Sequence, residues 1–492
     1  MWKTTEFSSG DRAFSRPRWR KYESMHIHLI AICGTGMGSL AGILKAAGHH
    51  VTGSDANVYP PMSTYLAGQG IPIFNGYEPV HLEPRPDLVV VGNAIRRDNP
   101  EARAAIDGGI EYTSFPGALR RFFLDDRTTV AVTGTHGKTT TTAMVAWIFT
   151  HAGLDPSFLV GGVARNLGSP VRLGAGRHFI VEGDEYDTAF FDKVPKFVRY
   201  RPDHAILANI EFDHADIYPD LDAVKRAFAM LVDGMPKDGT LIAGIDCPNV
   251  RERIASAPCP VVTYAIDREA DYRALDIRED SGRVVFDIDT PDGRVGNLEV
   301  SMPGRHNALN ALAAFAMSRV LDLGPDAIRA GLASFEGVKR RQEIRGEEAG
   351  VVVIDDFAHH PTAVRVTLEA LRSRWDGRRL IVLFEPRTNT SRRAYFQELY
   401  ASAFDAASAV VIAPVFGAEA LTESERFDAR RLARDLRKRG IDACDTATYD
   451  ETLDVAMKRL RPGDVAVLMS NGGFGGMHER LLDALRERNA NP

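Results

Sequence analysis

The segment Thr133-Gly134-Thr135-His136-Gly137-Lys138-Thr139-Thr140 follows the apolar run Thr128-Thr129-Val130-Ala131-Val132 and leads straight into a helical pattern. Few local features restrict a fold more. Small residues between a strand and a helix let backbone N–H groups close around phosphate oxygens, and the helix N-terminus adds its positive end. Lys138 is placed to reach the terminal phosphates of a nucleotide, and the Thr139 hydroxyl to hold Mg²⁺. The strict Walker pattern asks for glycine five positions before Gly137, where this chain has Val132. The loop also implies its surroundings, because it works only at the end of a strand in a parallel α/β sheet.

The rest of the chain fits that frame. Short apolar runs alternate with helical patterns, the mark of βαβ construction, and 492 residues suggest about three domains. Strands are expected at 26–32 and 88–92 in a first domain (25–126). A second domain (127–337) has strands at 128–132 and 179–181 and closes with the helix after Gly304. A third (338–492) has strands at 351–354, 380–384, 409–413 and 465–469. Boundaries fall at the polar Leu124-Asp125-Asp126-Arg127 and the glycine-bearing Glu336-Gly337-Val338, with a hinge expected at 336–339. Residues 1–24, rich in Arg, Lys and Ser and without an apolar stretch, read as a disordered extension instead of a secretory signal.

Composition excludes several classes. Sixty basic against 66 acidic residues give a formal charge of −6, which argues against gripping nucleic acid by bulk electrostatics. No apolar run is long enough to span a bilayer. Cys33, Cys247, Cys259 and Cys444 lie far apart with no CxxC pair, so neither a zinc cage nor a disulfide framework is indicated, and a reducing cytoplasm is the expected location.

Other clusters sit where strands end. Gly34-Thr35-Gly36-Met37-Gly38 follows the first strand, and Asp55 ends the next, near the distance at which dinucleotide folds place a ribose-binding carboxylate. Ser39 breaks the strict G-x-G-x-x-G, so this loop implies a diphosphate ligand without choosing between NAD and a sugar nucleotide. Glu182, first off the strand in Glu182-Gly183-Asp184-Glu185-Tyr186-Asp187, is the candidate magnesium carboxylate. His214, in Asn209-Ile210-Glu211-Phe212-Asp213-His214, is a candidate for a second metal ion. His306, Asn307 and Asn310 share neighbouring faces at the start of a helix, where amides suit the edge of an adenine ring or simply cap the helix. In the third domain Asp356 is a candidate for ribose and His359 for the transferred phosphate. The loops carrying Arg387, Asn389 and Asn471 end two more strands that face the same crevice.

Taken in order, Gly134-Thr135-His136-Gly137-Lys138-Thr139-Thr140, Glu182-Gly183-Asp184-Glu185, Asn209-Ile210-Glu211-x-Asp213-His214, Gly304-Arg305-His306-Asn307-Ala308-Leu309-Asn310 and Asp355-Asp356-x-x-His359-His360-Pro361 resemble the Mur ligase family, over residues 25–492. The resemblance implies three α/β domains: a Rossmann-like UDP-sugar domain, a central P-loop ATPase domain and a C-terminal Rossmann-like domain. It implies ATP and Mg²⁺ as cofactors, with Lys138, Glu182, His214 and His359 catalytic and Thr139, Glu182 and His214 holding metal. Gly34, Thr35, Gly36, Met37, Gly38, Asp55 and Asn93 would bind the UDP-sugar, which decides the glycine loop against NAD. Ser54-Asp55-Ala56-Asn57-Val58-Tyr59-Pro60-Pro61-Met62-Ser63 and the loops at 385–390 and 470–476 look like the branch that joins L-alanyl-γ-D-glutamyl-meso-diaminopimelate to UDP-N-acetylmuramate. In that branch Arg387, Asn389 and Asn471 would meet peptide or phosphate, and neither nucleic acid nor membrane insertion is implied.

One departure stands out. Many members of the family place a carbamylated lysine after the Asp-His motif; Lys225 is too early for that role, so none is expected here. The alternative reading is the branch that adds free L-alanine to the same sugar nucleotide. A reading of another class, a UDP-sugar sensor that has lost turnover, predicts a broken phosphate loop, whereas Lys138 and Glu182 both stand. Oligomeric state is not legible.

Overall fold

The computed structural model describes residues 23–59, 62–280 and 282–490. Apart from Glu23 and Ser24, the basic N-terminal stretch lies outside the described residues, as do Pro60 and Pro61 of the 54–63 motif. The chain forms three principal sheets. The first has strands Ile73–Asn75, His50–Asp55, His26–Ile30, Leu88–Val91 and Tyr112–Ser114 in that spatial order, all parallel. Leu88–Val91 is buried throughout, as expected of a parallel strand covered on both faces. Chain order reverses between His26–Ile30 and Leu88–Val91, which opens a crevice at their C-terminal ends.

The central sheet has ten strands, and its middle sets the geometry of the site. His204–Leu207, Thr128–Thr133 and His178–Glu182 lie side by side and parallel, so the loops leaving them converge. Two helices cover this region. Lys138–His151 and Arg305–Val320 have low amphipathicity and bury most of their length, including Ala143, Val145, Ile148, Ala311, Leu312 and Phe315. A helix apolar on nearly every side belongs inside a core. At its far edge the sheet gains an antiparallel ribbon, Tyr272–Asp280, Arg283–Thr290 and Gly293–Val300, which the βαβ reading does not anticipate.

The third sheet runs Glu343–Glu348, Val351–Asp356, Val465–Met469, Leu380–Phe384, Ala409–Ile412 and Asp442–Asp445. Only its edge strand Glu343–Glu348 is antiparallel. The expected hinge at 336–339 is pinned to the central domain instead. Arg165 N–H donates to the Gly337 carbonyl (3.0 Å), Lys339 N–H to the Val163 carbonyl (2.9 Å), and Glu336 N–H to Asn166 Oδ1 (2.7 Å). Beyond that segment, Arg340 (φ 62°) and Gln342 (φ 51°) adopt left-handed backbone and bond to the third domain, the Arg340 carbonyl accepting from Phe357 N–H (2.9 Å) and Gln342 N–H donating to Asp356 (2.7 Å).

Candidate functional site

The three central strand ends and the third domain enclose a cleft of about 390 Å³. Its floor is the 133–140 loop. Gly137 has φ 83°, a conformation that glycine adopts without strain, and a Cβ there would lie 2.5 Å from Asn310 Oδ1. The loop therefore has its tight shape because Gly137 leaves room for the helix Arg305–Val320. Asn307 is buried and donates to the Pro303 carbonyl (2.8 Å), while Asn310 donates to Asn307 Oδ1 (3.3 Å). His306 also lines the cleft, and burial lowers its pKa to about 4, so its ring is neutral.

Lys138 extends across the loop. Its ammonium donates to the Gly134 carbonyl (2.8 Å) and to both oxygens of Glu185 (2.9 and 2.8 Å). Burial opposes its charge, but the carboxylate outweighs that and raises its pKa. Glu185 also accepts from His214 Nε2 (3.0 Å), whose pKa is raised by that bond against the effect of burial. Thr139 Oγ1 donates to Glu182 (3.0 Å), which also accepts from Gly161 N–H (2.6 Å). Burial raises the Glu182 pKa, so a cation placed there would relieve a desolvated carboxylate. A hydroxyl beside a carboxylate is a hard oxygen donor set that suits a small divalent cation.

Of the residues expected to serve metal, Thr139 and Glu182 are in contact, whereas His214 faces Glu185. Glu185 is the residue that sequence reasoning passed over. It lies in the same acidic motif, but distance from the strand end favoured Glu182. Lys225, on the helix Leu221–Asp233, pairs with Glu252 (2.7 Å) on the helix Pro248–Ile254.

The third domain forms the roof. Asp356 ends Val351–Asp356 buried, accepting from Gln342 N–H (2.7 Å) and Ala358 N–H (2.8 Å), and burial raises its pKa. His359 donates through Nδ1 to the Phe357 carbonyl (3.1 Å), which leaves Nε2 as a lone pair. Burial lowers its pKa to about 4. Arg341, unmarked by any motif, lines the cleft with its guanidinium 4.5 Å from the Phe357 ring; burial lowers its pKa, against the pull of Asp356 and Glu182. Arg387 stacks on Phe416 (3.7 Å) and pairs with the buried Glu385 (3.4 Å), which also accepts from Tyr449 and Ser470. Asn389 donates to Asp216 of the central domain (2.9 Å), so its amide holds two domains together. Asn471 Oδ1 is buried without a partner.

The first domain carries the remaining residues. Gly34 precedes the helix Thr35–Ala46, and Asn93 follows Leu88–Val91, on opposite sides of the crevice. A side chain at Gly38 would overlap Met62 Sδ, which explains the glycine by packing. Both Asp55 oxygens hold backbone, accepting from Cys33 N–H and Asn57 N–H (2.9 Å each), so this carboxylate shapes the loop.

Comparison with known proteins agrees along the length of the chain. Family models match at residues 26–127 (Mur ligase family, catalytic domain), 132–318 (Mur ligase middle domain) and 340–472 (Mur ligase, glutamate ligase domain). The chain is 40% identical to the UDP-N-acetylmuramate–L-alanyl-γ-D-glutamyl-meso-2,6-diaminoheptanedioate ligase of Escherichia coli, over 94% of this chain and 99% of that one. It is 35% identical to a UDP-N-acetylmuramate–L-alanine ligase from Halorhodospira halophila, over 92% of each. The crystal structure of a murein peptide ligase from Psychrobacter arcticus superposes with a TM-score of 0.71 at 38% identity, over 94% of this chain and 99% of that one.

Proposed function

Because the chain belongs to the Mur ligase family, we propose that it joins L-alanyl-γ-D-glutamyl-meso-diaminopimelate to UDP-N-acetylmuramate at the expense of ATP. The observation that carries this reading is the convergence of Lys138, Glu182, His214 and His359 on one cleft between the central and third domains. The greater identity to tripeptide-adding relatives (40% and 39%) than to alanine-adding ones (35% and 37%) favours the tripeptide. In this reading ATP phosphorylates the muramate carboxylate, the alanyl amine attacks the acyl phosphate, and phosphate leaves as the amide forms.

Each residue has a part. Lys138 turns from Glu185 to the transferred phosphate, where its charge offsets the charge that develops. Glu185 holds Lys138 and His214 in place until the nucleotide arrives. Thr139 and Glu182 would hold Mg²⁺, with His214 as a further candidate; when bound, the ion would supply positive charge to offset that of the phosphates. Asn307 and Asn310 would meet adenine and Asp356 ribose, and His359 would present a neutral ring to the phosphate. The glycine loop and Asn93 flank the crevice for the UDP-sugar, and Arg387 and Asn471 face the incoming peptide. A cytoplasmic location accompanies this reading and is supported by four free cysteines. Among the described residues no helix is long and apolar enough to cross a membrane.

The test is phosphate release from ATP with UDP-N-acetylmuramate and the tripeptide, expected only when all three are present. Lys138→Ala should lower kcat by on the order of 10²-fold with UDP-sugar binding unchanged. Release independent of either acceptor, or near-normal turnover by the variant, would remove the assignment.

A further inference from the structure

Residues 209–211 leave the strand His204–Leu207 and grip the middle of the phosphate loop. Glu211 N–H donates to Thr135 Oγ1 (2.9 Å), and that hydroxyl donates to the Glu211 carbonyl (3.1 Å). On the other side Asn209 Oδ1 accepts from His136 N–H (2.7 Å) and its amide donates to the His136 carbonyl (3.1 Å). Thr135-His136 is therefore held by Asn209 and Glu211.

The Glu211 carboxylate then reaches in two directions. Its Oε2 lies 3.2 Å from His136 Nε2 in the loop, and accepts from Thr362 Oγ1 (2.8 Å) in the helix Pro361–Arg374 of the third domain. Burial alone would raise its pKa, but the bonds from His136 and Thr362 outweigh that and hold it at about 2. His360, which caps the same helix, packs its ring 4.6 Å from that of His136. The ligand atoms of His136, Glu211 and His360 lie within 4.8 Å of one another, a spacing that would admit a metal ion. His360, however, has both ring nitrogens engaged: Nδ1 accepts from Thr362 N–H (3.2 Å) and Nε2 donates to the Phe212 carbonyl (3.1 Å). With no lone pair left on His360, the group is built as a hydrogen-bonded latch.

We propose that Glu211 is a positioning residue that makes the shape of the phosphate loop depend on docking of the third domain. Thr362 fixes the carboxylate, the carboxylate fixes the His136 ring, and the loop completes its cradle only when the roof is in place. Nucleotide chemistry is thereby tied to closure, which limits loss of ATP to water in the open enzyme. Asp213 and Asn389 also cross this interface, through Thr390 (2.5 Å) and Asp216 (2.9 Å), but neither touches the loop.

The inference rests on the proposed function for its catalytic consequence, and on geometry alone for its structural one. The experiment measures, in the full-length enzyme, calorimetric affinity for a non-hydrolysable ATP analogue together with kcat. Thr362→Val should weaken analogue binding and kcat by about tenfold, and Thr362→Ser should restore both to within about twofold. His136→Gln and Thr362→Val do not touch, yet combined they should cost less than the product of their separate effects, because both act through Glu211. In a Glu211→Ala background, adding Thr362→Val should change neither quantity further. Independent effects, a persistent Thr362→Val defect without Glu211, or failure of serine to rescue would overturn the latch. An enzyme inactive toward every amine that still shows the coupling in analogue binding would remove the ligase reading and leave the latch standing.

Discussion

At the residue scale, the chemistry of the cleft depends on burial shifting side chains away from their behaviour in water. The same physics acts outside it. His178 begins the strand His178–Glu182, buried with its ring 4.9 Å from Phe149, and burial lowers its pKa from 6.5 to about 4. Between those values the unfolded chain binds a proton that the native chain does not, so stability falls as pH drops from about 6.5 to about 4. The difference is on the order of 3 kcal/mol for this one group. His178→Phe should flatten the dependence of unfolding free energy on pH in that window, measured by denaturant titration at several pH values. An unaltered slope would show that His178 is not held neutral.

At the scale of elements, legibility in the sequence follows burial. The strands Leu380–Phe384 and Val465–Met469 are continuous apolar runs, and they form where the pattern places them. Val351–Asp356 runs two residues beyond its apolar run, because Asp355 and Asp356 are buried and held by ion pairs and backbone bonds. Tyr272–Asp280 was hidden: its Arg, Glu and Asp residues alternate with small and apolar ones on a half-exposed ribbon, which reads as a polar loop. In the site, residues within one motif were legible. Thr362 was not, because its partner Glu211 lies in another domain, and Arg341 and Gln342 were not, because they precede the strand whose end they meet at Phe357 and Asp356; no local spacing encodes either meeting. The phosphate loop also makes a prediction at this scale. Gly137→Ala puts a Cβ against Asn310 in left-handed backbone, which should cost about 1–3 kcal/mol and abolish nucleotide binding. Thermal unfolding and calorimetry measure both; wild-type affinity in the variant would contradict the packing account.

For the whole molecule, one nucleotide site drawn from two domains requires movement. A closed cleft cannot exchange ATP, and an acyl phosphate must be kept from water while the amine attacks. Segment 336–339 is hydrogen-bonded to the central domain, whereas the Arg340 carbonyl and Gln342 N–H are bonded to Phe357 and Asp356 of the third, so the link between the two domains falls at 339–340. Solution scattering should show a smaller radius of gyration with an ATP analogue plus UDP-N-acetylmuramate than with neither. An unchanged radius in protein shown to have bound both would mean that the domains stay docked throughout. The identity of the amine tests the account most directly. The loops around Arg387 and Asn471 leave neighbouring strands of the third domain, Leu380–Phe384 and Val465–Met469, at the same end as Asp356, and a few contacts to the peptide beyond its alanyl end are enough for about tenfold discrimination, ~1.4 kcal/mol in the transition state. The measurement is kcat/KM for the tripeptide against free L-alanine, at saturating ATP and UDP-N-acetylmuramate. The account predicts that the tripeptide is favoured by at least about tenfold; a preference for L-alanine would contradict it and place the enzyme in the alanine-adding branch.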